Sequence, residues 1–339
     1  MSSSARTGSG GERFSSLNIE DPGLSSALGS GLREVEALLR ELLRSEVALI
    51  SETSHHLFEA GGKRFRPLFT LLAAQFGRGI NEDVVKAAAA VELVHLASLY
   101  HDDVMDEASM RRGAPSANAR WDNSIAILTG DFLFARASYL VADLGVEAAR
   151  IIASTFGELV TGQMRESTGP AAGADRVSHY LTVIAEKTGS LIATSGQYGG
   201  MLSGAAEAEV RALRRLGELV GSMFQISDDV IDIDSPATES GKTPGTDLRE
   251  GVLTLPMLYA LGDENGQGRL TELLRGPLTD DRQVAEALEL LRASDGLRKA
   301  RETLADYARQ ARAQLDTLPK GAANDALGDL IDYMQARTT

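Results

Sequence analysis

Apolar residues recur at three- and four-residue spacing along most of this chain. Between residues 26 and 59 they fall at Leu32, Val35, Leu38, Leu39, Leu42, Leu43, Val47 and Ile50, the period of one buried helical face. Windows rich in Ala, Leu and Val follow at 67–76, 83–105, 124–142, 147–164, 177–202, 207–233, 252–262, 283–293, 297–315 and 323–336. Alternating Val/Ile/Thr/Tyr runs are scarce and aromatics make up only 5% of the chain, so strands are not predicted. The helical windows are punctuated at Gly61-Gly62, Arg112-Gly113-Ala114-Pro115, Gly169-Pro170, Ser235-Pro236 and Gly276-Pro277, where Gly and Pro break helices. Apart from 233–251 the intervening loops are short. No Pro- or Ser-rich linker divides the sequence and no fixed-period repeat is evident. The pattern predicts an all-α fold, a single domain over 26–339 built of long antiparallel helices. Residues 1–25 are expected to form a disordered tail, Ser/Gly-rich at its start and without the apolar core of a signal peptide.

Two windows carry the same unusual acidic pattern. His101-Asp102-Asp103-Val104-Met105-Asp106 and Gln225-Ile226-Ser227-Asp228-Asp229-Val230-Ile231-Asp232 both read D-D-x-x-D within apolar sequence. On a helix, Asp102 and Asp106 share one face, and so do Asp228 and Asp232. Stacked like charges destabilise a helix, so each pair calls for a cation. Oxygen ligands in a chain with no Cys favour Mg²⁺ over zinc. An isolated Asp pair on a helix is usually a solvated face; two copies with apolar flanks argue otherwise.

Composition narrows the function classes. The chain has 339 residues, 43% hydrophobic, enough for a large core. A net charge of −14 argues against nucleic acid and against strong docking on anionic lipid. No run of eighteen apolar residues occurs, so no membrane-spanning helix is expected. The lack of Cys fits a reducing compartment, and a cytoplasmic protein is expected.

Cations accompany the carboxylates. Gly61-Gly62-Lys63-Arg64-Phe65-Arg66-Pro67 places three cations within four residues behind two glycines, a positive site sized for a diphosphate. Arg111-Arg112 follows Asp106 closely, Lys187-Thr188-Gly189 sits in a helical stretch, and Gly241-Lys242-Thr243 comes ten residues after Asp232. Such a set suggests phosphate held both directly and through metal. His95 taken alone reads as a core histidine.

Taken in order, Gly61 to Pro67, the Asp102 signature with Arg111-Arg112, Lys187-Thr188, Gln225 with the Asp228 signature, and Lys242 resemble the trans-isoprenyl diphosphate synthase family over roughly residues 30–335. The resemblance implies a helical bundle around a deep central cavity and elongation of an allylic diphosphate by isopentenyl diphosphate. It also implies a homodimer. By motif, Asp102, Asp106, Asp228 and Asp232 are the implied Mg²⁺ ligands, with Asp103 and Asp229 supporting them. Lys63, Arg66, His95 and Arg112 match the isopentenyl diphosphate pocket. Arg111, Lys187, Thr188, Gln225 and Lys242 match the allylic side. In that family Ala97 and Ser98, the fifth and fourth residues before Asp102, line the floor of the growing-chain cavity. Both are small, so a long-chain polyprenyl diphosphate is expected, with deeper stops among Leu93, Val94, Leu133, Phe134 and Tyr139. The Glu-Gly-Lys common in the family is Glu250-Gly251-Val252 here, leaving Arg249 as a possible substitute cation. Two alternatives stand beside this reading. A class I terpene cyclase shares the first signature but not the second or the Lys63/Arg66/His95 set. A non-catalytic partner subunit tends to lose the signatures, and only Val252 speaks for it.

Overall fold

The computed structural model describes residues 19–234, 244–263 and 268–338. Most of them are helical, as the apolar periodicity predicts. Helix α1 (Pro22–Leu42) starts on Asp21, whose side chain accepts from Leu24 N at 2.6 Å, with Pro22 in the first turn, where its missing N–H costs nothing. Residues 22–25, expected in the tail, therefore belong to this helix. The window 26–59 holds two helices rather than one, α1 and α2 (Ala48–Glu59). Helix α3 (Phe65–Ala73) follows, then α4 (Glu82–Met105). Asn81 caps α4 by accepting from Val84 N at 2.9 Å, and Glu82 and Asp83 lie in its first turn, where they offset the helix dipole.

Helix α4 is the axis of its surroundings. Ala87 to Val91, Leu93, Val94, Leu96, Ala97 and Tyr100 are all buried, and a helix apolar on every side must be enclosed by others. Helices α1, α3 and α6 (Asn123–Asp143) pack along it. Between α4 and α6 the chain makes a small hairpin, β1 (Met110–Arg111) against β2 (Ala114–Pro115), and the short α5 (Ala117–Arg120). Arg112 and Gly113 form its two-residue turn, both with positive φ (53° and 76°), as a type I′ turn requires. This hairpin is the one departure from an all-helical chain among the described residues. Helix α6 is long and apolar enough to cross a membrane by composition. It carries Asp131 and Arg136 and lies along α4.

Helix α7 (Val146–Thr168) precedes α8 (Arg176–Ile184), which passes through a single π turn, Ala185–Gly189, into α9 (Ser190–Ser203). Then come α10 (Glu207–Asp234), α11 (Thr246–Glu250), α12 (Leu255–Asp263), α13 (Arg269–Leu273), α14 (Asp281–Ala293), α15 (Gly296–Leu315) and α16 (Ala322–Ala336).

The residues cluster into two compact units interleaved along the chain. The first takes the chain up to Phe156 with Thr194–Arg214 and Leu318–Asp329. Its core gathers Leu39, Phe69, Leu72, Leu93, Leu133 and Tyr198. The second takes Gly157–Ala193, Arg215–Thr317 and Leu330–Thr339, around Leu216, Met223, Ile226, Val230, Leu255 and Leu304. Within the second unit the π turn lies directly on α10. A Cβ on Gly221 would stand 2.7 Å from Gly189 Cα, so only this glycine pair lets the two backbones approach so closely.

Candidate active site

The first unit builds a cationic pocket around the Gly61–Arg66 turn. Gly61 and Gly62 take φ of 101° and 147°, and Arg64 takes 48° as it enters α3. The three cations expected to make one positive site do not all contribute to it. Arg64 is 3% exposed. It donates to Glu92 Oε1 at 3.2 Å and to Phe58 O at 3.0 Å, and its guanidinium lies 4.4 Å over the Phe58 ring. Lone carboxylates inside an apolar helix need a partner, and Arg64 serves Glu92 of α4. It pins the turn and leaves Lys63 exposed and Arg66 half-buried.

Arg112 approaches the same turn from the hairpin, donating to Leu57 O at 3.0 Å and to Gly61 O. Tyr100 of α4 accepts from Leu57 N at 3.2 Å and donates to Thr53 O, so α2 is stitched to the helix that carries the first signature. Burial, then Arg112 nearby, brings the Arg66 pKa down to about 10 against the pull of Glu92. Burial, then Arg66 and Arg112, hold His95 well below the usual histidine range. His95 is therefore a neutral ring among guanidinium groups.

The first acidic signature ends α4. Asp106 is exposed at the C-cap, and Asp102, one turn earlier, is half-buried. Asp103 points the other way, fully buried, and accepts from Arg111 Nε at 2.6 Å. Burial raises its pKa while Arg111 opposes the rise. Arg111, expected on the allylic side, thus has one N–H committed to Asp103. Among the described residues the non-glycine positions with positive φ are Arg64, Glu107 and Arg112. All three flank this signature or the cationic turn, where strained backbone commonly marks function.

The second unit repeats the division of labour. Asp229 is 2% exposed and accepts from Tyr180 OH, from Gln225 Nε2 at 3.1 Å and from Leu255 N at 3.5 Å. Burial pushes its pKa up to about 7, and pushes the Tyr180 hydroxyl well above its ordinary value, with the Asp229 charge adding to the rise. Asp228 and Asp232 remain partly exposed. Asp232 accepts from Thr246 N and Asp247 N, both at 3.1 Å, at the start of α11. A carboxylate offers about four lone-pair directions, so these bonds fix Asp232 without filling it. Asp228 pairs with Arg337. Lys187 and the half-buried Thr188 lie in the π turn, a feature frequent at functional sites, and Lys187 Nζ pairs with Glu166 of α7. Lys242 lies outside the described residues.

The donor chemistry fits Mg²⁺. Among the described residues no three Asp, Glu or His side chains converge to cage a metal. Each signature instead offers two carboxylates one turn apart, and Mg²⁺ keeps several waters and takes one or two carboxylates with phosphate oxygens. Asp103 Oδ2 is buried and accepts nothing from the protein, an acceptor in reserve behind Asp102 and Asp106.

Ala97 and Ser98 are buried on α4, as are Leu93 and Val94, and Leu133 on α6. Phe134 stacks on Phe156 with centroids 4.2 Å apart. Tyr139 is 68% exposed and does not act as an inner stop within this chain. Val252 is exposed, and Arg249 pairs with Asp281 at 2.8 Å.

Sequence reasoning missed Glu92, Glu166, Tyr180 and Arg337. Glu92 carried a signal, a single charge in the run Ala87 to Leu96 apart from His95. Tyr180 lies seven residues before Lys187, the helical repeat of one face. Glu166 and Arg337 carry no local signal, because their partners are distant in sequence.

The polyprenyl synthetase family profile matches residues 47–291. A nonaprenyl diphosphate synthase of Mycobacterium tuberculosis is 55% identical over 95% of this chain and 96% of its own length. A dimethylallyltranstransferase of the same organism is 47% identical over 94% and 97%. The crystal structure of a geranylgeranyl pyrophosphate synthase from Corynebacterium glutamicum, complexed with calcium and isoprenyl diphosphate, is 49% identical and aligns with a TM-score of 0.84 over 95% of this chain and 99% of that one.

Proposed function

The chain belongs to the polyprenyl synthetase family, and from that premise we propose that it is a Mg²⁺-dependent trans-prenyltransferase that extends an allylic diphosphate with isopentenyl diphosphate to a long-chain polyprenyl diphosphate of about thirty to fifty carbons. The observation that carries the reading is the matched geometry of the two signatures. In each, the middle carboxylate is buried and tied to a partner, while the outer two are half-buried or exposed and lie one turn apart.

Asp102 and Asp106 in the first unit, and Asp228 and Asp232 in the second, are the carboxylates that would hold Mg²⁺ for the leaving diphosphate. When bound, Mg²⁺ supplies neutralisation of the charge that grows on that diphosphate as the C–O bond breaks. Lys187 and Arg111 add cations on the allylic side. Thr188 and Gln225 present dipoles to the allylic cation without a base strong enough to trap it. Asp103 and Asp229 keep the signatures in register through Arg111 and Tyr180. Lys63, Arg66 and Arg112 bind the diphosphate of isopentenyl diphosphate. His95, kept neutral, donates a hydrogen bond there without competing for protons. The double bond attacks the cation, and the released diphosphate accepts the proton then lost. Fixing both reactants supplies the orientation contribution to the rate.

The long product is supported by the small Ala97 and Ser98 and by the nonaprenyl synthase relative. We place the reaction in the cytoplasm, in one catalytic domain that begins with α1 at Pro22. A homodimer is supported by the exposed apolar side chains Ile127, Leu128, Tyr139 and Val146 on and after α6. Light scattering on the purified chain tests that.

Incubating the purified chain alone with labelled isopentenyl diphosphate, farnesyl diphosphate and Mg²⁺ tests the activity. Long polyprenyl diphosphates support the proposal. Hydrocarbon or alcohol products point to a terpene cyclase, and no turnover points to a subunit that needs a partner.

A further inference from the structure

We propose that Arg337 is an internal counter-cation that holds Asp228 in the metal-free enzyme and must be displaced before a divalent cation takes that carboxylate. The inference rests on reading Asp228 as a metal ligand. Arg337 follows α16 and pairs through Nη2 with Asp228 Oδ1. Its side chain is 12% exposed against 33% for Asp228, so the pair is sheltered from solvent on the arginine side. The guanidinium also lies 5.2 Å over the ring of Phe224, one turn before Asp228 on α10. The adjoining backbone is clamped to the same helix. Arg301 of α15 donates through Nε to Thr338 O at 2.7 Å and pairs through Nη2 with Asp234.

Three contacts thus set Arg337 on the second signature, and they have an electrostatic reason. Asp228 and Asp232 stack one turn apart and repel each other, and a fixed cation relieves that repulsion when no metal is bound. A guanidinium on one carboxylate oxygen takes a lone pair and cancels part of the field that draws a divalent cation. Two cations competing for one carboxylate are linked, so each weakens the other by the same factor. The arrangement sets the metal requirement of this signature high enough that Mg²⁺ arriving with diphosphate is favoured over Mg²⁺ alone, since the diphosphate brings its own ligands.

Calorimetric titration of Mg²⁺ into the substrate-free full-length chain tests this, with wild type, D228N, R337Q, R337K and R301Q compared. R337Q is expected to bind Mg²⁺ about fivefold tighter than wild type, the equivalent of a partly exposed ion pair of about 1 kcal/mol. R337K keeps the charge and stays near wild type. R301Q releases the clamp and falls between them. In thermal unfolding, R337Q is less stable than wild type without metal, and the gap narrows at saturating Mg²⁺. If D228N leaves Mg²⁺ binding unchanged, Asp228 is not a metal ligand and the underlying reading fails. If D228N weakens binding but R337Q leaves it unchanged or weaker, the ligand assignment stands and the counter-cation proposal is overturned. Should R337Q not fold, R301Q decides alone: unchanged or weaker Mg²⁺ binding overturns the proposal.

Discussion

Replacing His95 with Gln probes the electrostatics of the cationic pocket without altering any carboxylate. In the folded chain, burial and then Arg66 and Arg112 keep the ring unprotonated well below the usual histidine range. In the unfolded chain it is an ordinary histidine that takes up a proton near pH 6.5. Below that pH the unfolded state binds one more proton than the folded state, so stability falls as the solution is acidified. Between about pH 7.5 and about pH 5.5 the unfolded-state proton-binding factor grows about tenfold, a loss of about 1.4 kcal/mol that belongs to this one side chain. Every other titrating group is shared by the two proteins and cancels in the difference. Urea denaturation at the two pH values supplies the numbers. Wild type is expected to lose about 1.4 kcal/mol more than the His95→Gln variant over that interval. Equal losses in the two proteins mean that His95 titrates normally in the folded state, and the account of a neutral ring among four arginines is then wrong.

Arg64→Met strands Glu92 in the core and should lower unfolding stability by about 3 kcal/mol. Lys63→Ala, at an exposed position of the same turn, should stay within about 0.5 kcal/mol while raising KM for isopentenyl diphosphate; similar stability losses for both count against the inward assignment of Arg64. Tyr180→Phe removes a donor from buried Asp229 and should cost about 1–3 kcal/mol in denaturation, together with a higher Mg²⁺ concentration for half-maximal rate; an unchanged Mg²⁺ dependence means Tyr180 does not position the signature. Ala97→Phe should shorten the product, and chromatography showing an unchanged length distribution removes Ala97 from the floor of the chain-growth cavity.

Much of the helical framework was legible because its cause is local. The 3.6-residue period of apolar side chains marks α4, α6, α10 and α15 within a few residues of their ends, and the caps that fix those ends, Asn81 and Asp122 among them, are side chains bonded three residues away. The same period put Asp102 with Asp106 and Asp228 with Asp232, since a shared helical face needs no tertiary information. What Asp103 and Asp229 face was not legible. Burial of a carboxylate depends on which helix covers it, and its partner comes from wherever the chain returns: Arg111 from a hairpin for Asp103, Tyr180 from α8 for Asp229. The run Lys63-Arg64-Phe65-Arg66 looked like one basic patch, and only the packing of α3 on α4 turned Arg64 inward to Glu92. Arg337 is the extreme case: nothing around it in sequence marks it, and only the return of the last helix brings its charge to Asp228. Sequence determined which groups are candidates for the chemistry, because residue type and helical spacing are encoded locally. Tertiary structure decided which of those charges are buried and how they are paired, because desolvation and pairing are properties of residues that meet only when the chain is folded.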